Sequence, residues 1–156
     1  MESVYIETSI LSYLTARPSR NLIAAARQQL TAEWWEKHRF KYRLVSSNVV
    51  IAEASQGDAD QAHTRLNIIR DIPILTITSE CEYLAERLVA DCIMPENSQN
   101  DALHLAISCY HSADFLMTWN CRHLANAHII PKARRLIESS GYVFSQICTP
   151  EELMGE

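Results

Sequence analysis

At 156 residues, 47% hydrophobic and 21% charged, the chain is long enough to bury a core and too apolar for a disordered one. Its net charge of −5 argues against a globally basic nucleic-acid binder and leaves room only for a local basic patch. Cys81, Cys92, Cys109, Cys121 and Cys148 are odd in number and never form a CxxC pair, which disfavours both a disulfide frame and a zinc site. Reduced thiols and a cytoplasmic location are the expectation. No leader-like start and no bilayer-length apolar run are visible.

A single domain over residues 1–156 is expected. The first element is a short strand, Val4–Ile6, and it ends on an acid, Glu7, followed by Thr8 and Ser9. Leu22, Ala26, Leu30 and Trp34 then fall four apart and predict a helix over 20–38. Adjacent tryptophans point about 100° apart on a helix, so Trp34 and Trp35 fit one core with difficulty and suggest spare apolar surface. The stretch 37–43 sets Lys37, His38, Arg39, Lys41 and Arg43 around Phe40 and Tyr42. It is either a phosphate-tracking patch with aromatic stacking or a solvated helix end running into the next strand.

A second strand, 42–46, leads to "VVIAEAS", where Glu53 shares a helical side with Val49 and Val50. A carboxylate among core-type residues is costly unless paired, hydrogen-bonded or metal-bound. Helices are predicted over 59–70, on Ala62, Leu66 and Ile69, and over 79–93, on Cys81, Leu84, Leu88 and Cys92, with a strand at 74–77 between them. Residues 101–112 are apolar nearly all round and predict a helix buried between layers. It opens on Asp101, and Ser98 stands three residues earlier at capping-box spacing. His104, one turn on, either orients a carboxylate or is an ordinary core histidine. A fourth strand, 115–119, is followed by Asn120; Pro131 opens a last helix stopped by Gly141, and a fifth strand covers 143–148. Lys132, Arg134 and Arg135 on that helix form a second basic candidate.

Alternating strands and helices predict an α/β fold with a parallel sheet of about five strands, helices on both faces. Ligands of such sheets sit at the carboxyl ends of strands, where the winding reverses. If it reverses between the first and fourth strands, Glu7 and Asn120 share one crevice. Each acid alone has a plainer reading as a helix cap, rim residue or surface charge, so their combination carries the expectation. Oxygen ligands from separate elements would suit Mg²⁺ or Mn²⁺, ions that clamp phosphoryl oxygens for in-line attack.

"VYIETSILSYL", "VVIAEAS", "NDALHLAIS" and "FLMTWNCRHL" together resemble, in order and spacing, the PIN domain, and within it the VapC-type toxins of bacterial type II toxin–antitoxin systems. The resemblance spans almost the whole chain. It implies a three-layer α/β/α fold and an endoribonuclease that uses Mg²⁺ or Mn²⁺ and a metal-bound water to hydrolyse RNA phosphodiesters. It further implies a homodimer neutralised by a small cognate antitoxin. Glu7, Glu53, Asp101 and Asn120 would be the catalytic residues, with Glu7, Asp101 and Asn120 on the metal. Thr118 matches a threonine common before the fourth position. Ser9 and His104 would support the cluster, unless Ser9 caps the first helix, and Lys37, Arg39, Lys41 and Arg43 are the candidate RNA contacts. The first and fourth positions are usually Asp, so Glu7 and Asn120 depart from the pattern and leave a cluster charge of −3 rather than −4. A PIN fold without activity, binding nucleic acid or a protein, is the alternative. An aspartyl-phosphate receiver domain would want an Asp where Glu7 stands.

Overall fold

The computed structural model describes residues 1–155. Five short strands, β1 (Ser3–Ile6), β2 (Arg43–Ser47), β3 (Ile74–Leu75), β4 (Phe115–Met117) and β5 (Gln146–Cys148), form one sheet in the order β3-β2-β1-β4-β5. Every pairing is parallel, with Tyr5 opposite Val45 on one side and Leu116 on the other. β1 is buried along its whole length, as expected of a central strand covered on both faces. The chain runs outward from β1 to β3, then returns to the other side of β1 for β4 and β5. The winding therefore reverses between β1 and β4, as the sequence reading required.

Seven α-helices fill the connections: α1 (Thr8–Thr15), α2 (Leu22–Lys37), α3 (Asn48–Ala54), α4 (Ala59–Ile69), α5 (Ser79–Ala90), α6 (Gln99–Tyr110) and α7 (Ile130–Ser139). Right-handed crossovers in the two directions put α1–α4 on one face of the sheet and α5–α7 on the other. Contacts within each set agree: α1 touches α2, α3 and α4, while α5 touches α6 and α7. Most of α6 is buried, including His104 and Leu105–Cys109. α7 ends as foreseen at Gly141, whose φ of +93° carries the left-handed turn. The Gly141 N–H reaches the Glu138 carbonyl and the Tyr142 N–H the Ile137 carbonyl, closing the last turn.

Two expectations about α2 need correction. Its inward face carries Thr31 and Trp34, while Leu22 is 86% and Ile23 66% exposed. A repeat of four precesses about 40° per step around a helix of 3.6 residues per turn, so Leu22 and Trp34 end about 120° apart. The two tryptophans also fit more comfortably than their spacing suggests. Trp34 is buried and stacks on Tyr42 with ring centroids 5.8 Å apart, and Trp35 lies half-buried under the Arg39 guanidinium. Spare apolar surface on α2 sits instead at its start, and Phe40 and Val143 are exposed elsewhere. Cys92 is a third difference: it falls past the end of α5, exposed, with φ +56°.

Candidate functional site

Glu7 directly follows β1 and is the N-cap of α1, its Oε2 accepting the Ser9 N–H at 3.0 Å. The cap reading is thus correct for Glu7, but Oε2 does more than cap. It also accepts from the Ser9 hydroxyl and, at 2.7 Å, from the Thr118 hydroxyl just beyond β4. Ser9 is not itself a cap. Its oxygen bonds Glu7 and accepts the Trp119 N–H at 2.9 Å, which joins the ends of β1 and β4. Glu7 is 5% exposed.

Glu53 reaches the same place from α3. Its Oε1 accepts from the Thr8 hydroxyl and lies against His104 Nε2, both at 2.6 Å, while Oε2 meets Asn100 Nδ2 at 3.5 Å. His104 is fully buried and spends both ring nitrogens: Nδ1 lies 2.7 Å from the Tyr5 hydroxyl, which is 2.7 Å from Ser47 Oγ. An imidazole so bonded has no lone pair left for a cation. It braces Glu53 instead.

Burial pushes the Glu53 carboxyl up, but its bonds to His104, Thr8 and Asn100 and the His104 charge outweigh that and hold it below the ordinary range. Burial also works against an imidazolium at His104. The Glu53 hydrogen bond and the charges of Glu7, Glu53 and Asp101 nevertheless raise its pKa. Burial pushes the Tyr5 phenol strongly up, so it stays neutral.

Carboxylate oxygens of Glu7 and Glu53 and a ring nitrogen of His104 lie within 4.8 Å of one another. Asp101, in the first turn of α6, stands apart from that close group. It is joined to it by sequence neighbours, since Asn100 contacts Glu53 and His104 lies one turn along. The capping-box reading of Asp101 does not hold: Ser98 turns its hydroxyl to the Pro95 carbonyl, and Asp101 Oδ2 accepts from His123 Nδ1 at 2.9 Å. Asn120 lies past β4 as foreseen, with its Oδ1 accepting the N–H groups of Arg122 (3.2 Å) and His123 (3.0 Å).

The donor set fits a hard divalent cation. Each carboxylate has one oxygen held by protein donors: Oε2 of Glu7, Oε1 of Glu53 and Oδ2 of Asp101. Among the described residues, Glu7 Oε1 and Asp101 Oδ1 accept no hydrogen bond, and Glu53 Oε2 has only the long one from Asn100. No Lys or Arg among the described residues forms an ion pair with any of the three. Burying Glu7 and Glu53 this close together is costly; the His104 ring offsets part of that cost at Glu53, and a cation would offset more.

The basic stretch lies elsewhere. Lys37 ends α2, Arg39 and Lys41 occupy a 3-10 turn, and Arg43 opens β2 opposite Ser3. That is the amino edge of the sheet, and the four residues of β1 put about 13 Å between it and Glu7 at about 3.3 Å per residue. Arg39 is engaged with the Trp35 and Phe40 rings and the Trp35 carbonyl, and Lys37 with Glu33. On the site's own side Arg27 lies over the Trp119 ring at 5.2 Å and 3.9 Å from Cys121 Sγ, and Arg122 follows in the loop after β4, its N–H on Asn120 Oδ1. Sequence reasoning passed over Arg27, Tyr5, Thr8, Ser47, Asn100 and His123. Only Thr8 (beside Glu7) and His123 (three residues past Asn120) carried a local signal.

No protein-family profile matches the sequence, and no curated protein matches it. Solved structures do. VapC20 of Mycobacterium tuberculosis, described as a sarcin–ricin-loop-cleaving toxin, superposes with a TM-score of 0.61 at 15% identity, over 90% of this chain and 96% of its own. A chain of VapBC-1 from nontypeable Haemophilus influenzae gives 0.54 at 16% identity, over 96% and 98%. A chain of Rickettsia felis VapBC2, bound to a DNA fragment of its promoter, gives 0.52 at 15%, over 94% and 98%. With its five-stranded parallel sheet between two helical layers, this chain has the PIN-like α/β/α fold of those VapC and VapBC proteins.

Proposed function

We propose that the chain is a divalent-metal-dependent endoribonuclease of the VapC kind, cytoplasmic, dimeric and held in check by a small antitoxin. The observation that carries this reading is the set of three carboxylates, Glu7, Glu53 and Asp101, each fixed through one oxygen with the other left for a ligand. Mg²⁺ or Mn²⁺ suits an all-oxygen set; when bound, it would supply charge to balance the phosphoryl oxygens of an RNA backbone. Ser9 and Thr118 would hold Glu7, and His104 and Thr8 would hold Glu53, so that neither acid spends rotor freedom on binding. The Ser9, Thr8 and Thr118 hydroxyls at the cluster all donate to its carboxylates, and we assign the attack on the phosphodiester to water. Arg27, beside Trp119 at the carboxyl edge, is the cation we assign to a substrate phosphate, and Lys37, Arg39, Lys41 and Arg43, at the amino edge, would meet only a more distant part of the RNA. Likeness to chains of two VapBC complexes supports an antitoxin partner, and among the described residues no helix is long and apolar enough to cross a membrane.

Purified chain incubated with RNA should cut it in Mg²⁺ or Mn²⁺ and stop on addition of EDTA, and Asp101→Asn should remove most of the activity. Wild-type protein that binds neither ion in calorimetry and leaves RNA intact would refute the nuclease reading. A non-catalytic PIN-like module would then be the better account. One observation favours that second reading: Asn120 brings no charge, and its oxygen is spent on two backbone N–H groups.

A further inference from the structure

The loop after β4 contains a connection that the proposed roles leave unused. Asn120 donates its N–H to Thr118 Oγ1 at 2.9 Å, and Thr118 donates to Glu7 at 2.7 Å. The Asn120 side chain turns back on its own loop, accepting the N–H groups of Arg122 and His123. That turn brings the His123 ring against α6, where Nδ1 sits 2.9 Å from Asp101 Oδ2. An ionised carboxylate can only accept, so this nitrogen carries the proton and donates. The two side chains are 15% and 18% exposed, which leaves little room for water to compete.

We propose that His123 is a positioning residue for Asp101, and that Asn120 anchors the turn that carries His123 rather than binding the cation itself. This rests on the divalent-cation reading of the site. His123 does for Asp101 what Ser9 and Thr118 do for Glu7, and what Thr8 and His104 do for Glu53. It holds one oxygen so that the other presents in a single direction. Without it, Asp101 in the first turn of α6 keeps two equivalent oxygens and a free rotor. Carboxylates that ligate metals are commonly oriented by such outer partners. The Asn120 oxygen already accepts two hydrogen bonds, and turning it toward a cation would break both and release His123.

Mn²⁺ binding to the metal-free chain, measured by calorimetry, tests this without reference to RNA cleavage. His123→Ala should weaken binding by about 10–100-fold, the usual cost of losing an outer partner. His123→Asn should recover most of the loss, because its amide nitrogen falls where Nδ1 was. His123→Gln, with its nitrogen near the place of Nε2, should not. Asn120→Ala should weaken binding much as His123→Ala does, and the double variant should be no worse than either alone, since Asn120 acts through His123. The Asn–Gln contrast keeps the test decisive if either alanine variant unfolds. Wild-type chain that binds no Mn²⁺ would remove the cation reading and the positioning role together. Wild-type binding that is indifferent to His123→Ala, or equal losses in the Asn and Gln variants, would overturn the positioning role alone. Losses that add fully in the double variant would put Asn120 on the cation.

Discussion

Glu53 illustrates what a buried acid needs in order to remain an acid. Its Oε1 takes both the Thr8 hydroxyl and His104, while Tyr5 and Ser47 fix the far side of the imidazole. Five elements, β1, α1, β2, α3 and α6, thus meet through one chain of hydrogen bonds with no lysine or arginine in it. His104→Leu keeps an apolar side chain of useful size but leaves Glu53 and Tyr5 each short of a partner. Buried polar groups left so cost about 1–3 kcal/mol each. The variant should therefore unfold at lower urea than wild type, with a stability loss in that range or somewhat above it. A loss within error would mean that the network does not hold the fold. The same residue explains why a metal-ligand role for histidine here is less convincing than a bracing one: neither ring nitrogen is free.

At the scale of elements, the sheet is clamped at the end opposite the site. Asp114, just before β4, accepts from the Ser3 N–H at 2.7 Å and hydroxyl at 3.0 Å, and its own N–H returns to Ser3 Oγ at 3.0 Å. The clamp sets β1 beside β4 in the register that brings Glu7 level with Thr118. The Ser3 backbone N–H is the main reason that the Asp114 carboxyl lies below its ordinary value of 3.8, against a smaller opposing effect of burial. A depressed folded pKa contributes stability above the unfolded value, and that contribution is lost as pH falls through the folded one. Wild type should therefore lose stability below about pH 4, and Asp114→Asn should show a shallower acid limb in urea titrations. Parallel acid limbs would mean that Asp114 titrates alike in the folded and unfolded states. The carboxylate is exposed, so the effect should be modest and should shrink in salt.

For the whole molecule, the polarity of the sheet separates two kinds of surface. The acids gather at the carboxyl edge, and the Lys37–Arg43 stretch lies at the amino edge. An RNA held by both would have to wrap the molecule, so charge reversal at Lys41 or Arg43 should alter binding less than reversal at Arg27. Spare apolar surface lies at the start of α2, where Leu22 and Ile23 stand out into solvent. We take this pair as the first candidate for a seam between two copies. Light scattering at micromolar concentration should give a mass near twice 17.8 kDa, and a value of 17.8 kDa would exclude the dimer under those conditions.

The sequence by itself determined the alternation of strands and helices, hence the parallel sheet, and the placing of Glu7 and Asn120 just past two strand ends. Those features follow from periods of 2 and 3.6 residues and from connection lengths, which are local properties of the chain. The burial of α6 was legible for the same reason. The inward face of α2 was not, because a stripe spaced by four leaves the direction of a long helix open until its neighbours are in place. Only the tertiary structure decided which side chains hold the acids. Thr8 and Glu53 are 45 residues apart, and Thr118 and Glu7 are 111 apart. No sequence period connects them. Tyr5 and Ser47 are unremarkable in their own segments, and even Thr8 and His123, which stand near Glu7 and Asn120, acquire a role only because the reversal between β1 and β4 folds those segments over one edge. Asn120 shows the division most plainly. Its position could be read from the chain, but whether its oxygen faced a ligand or its own backbone depended on a turn that closes through space.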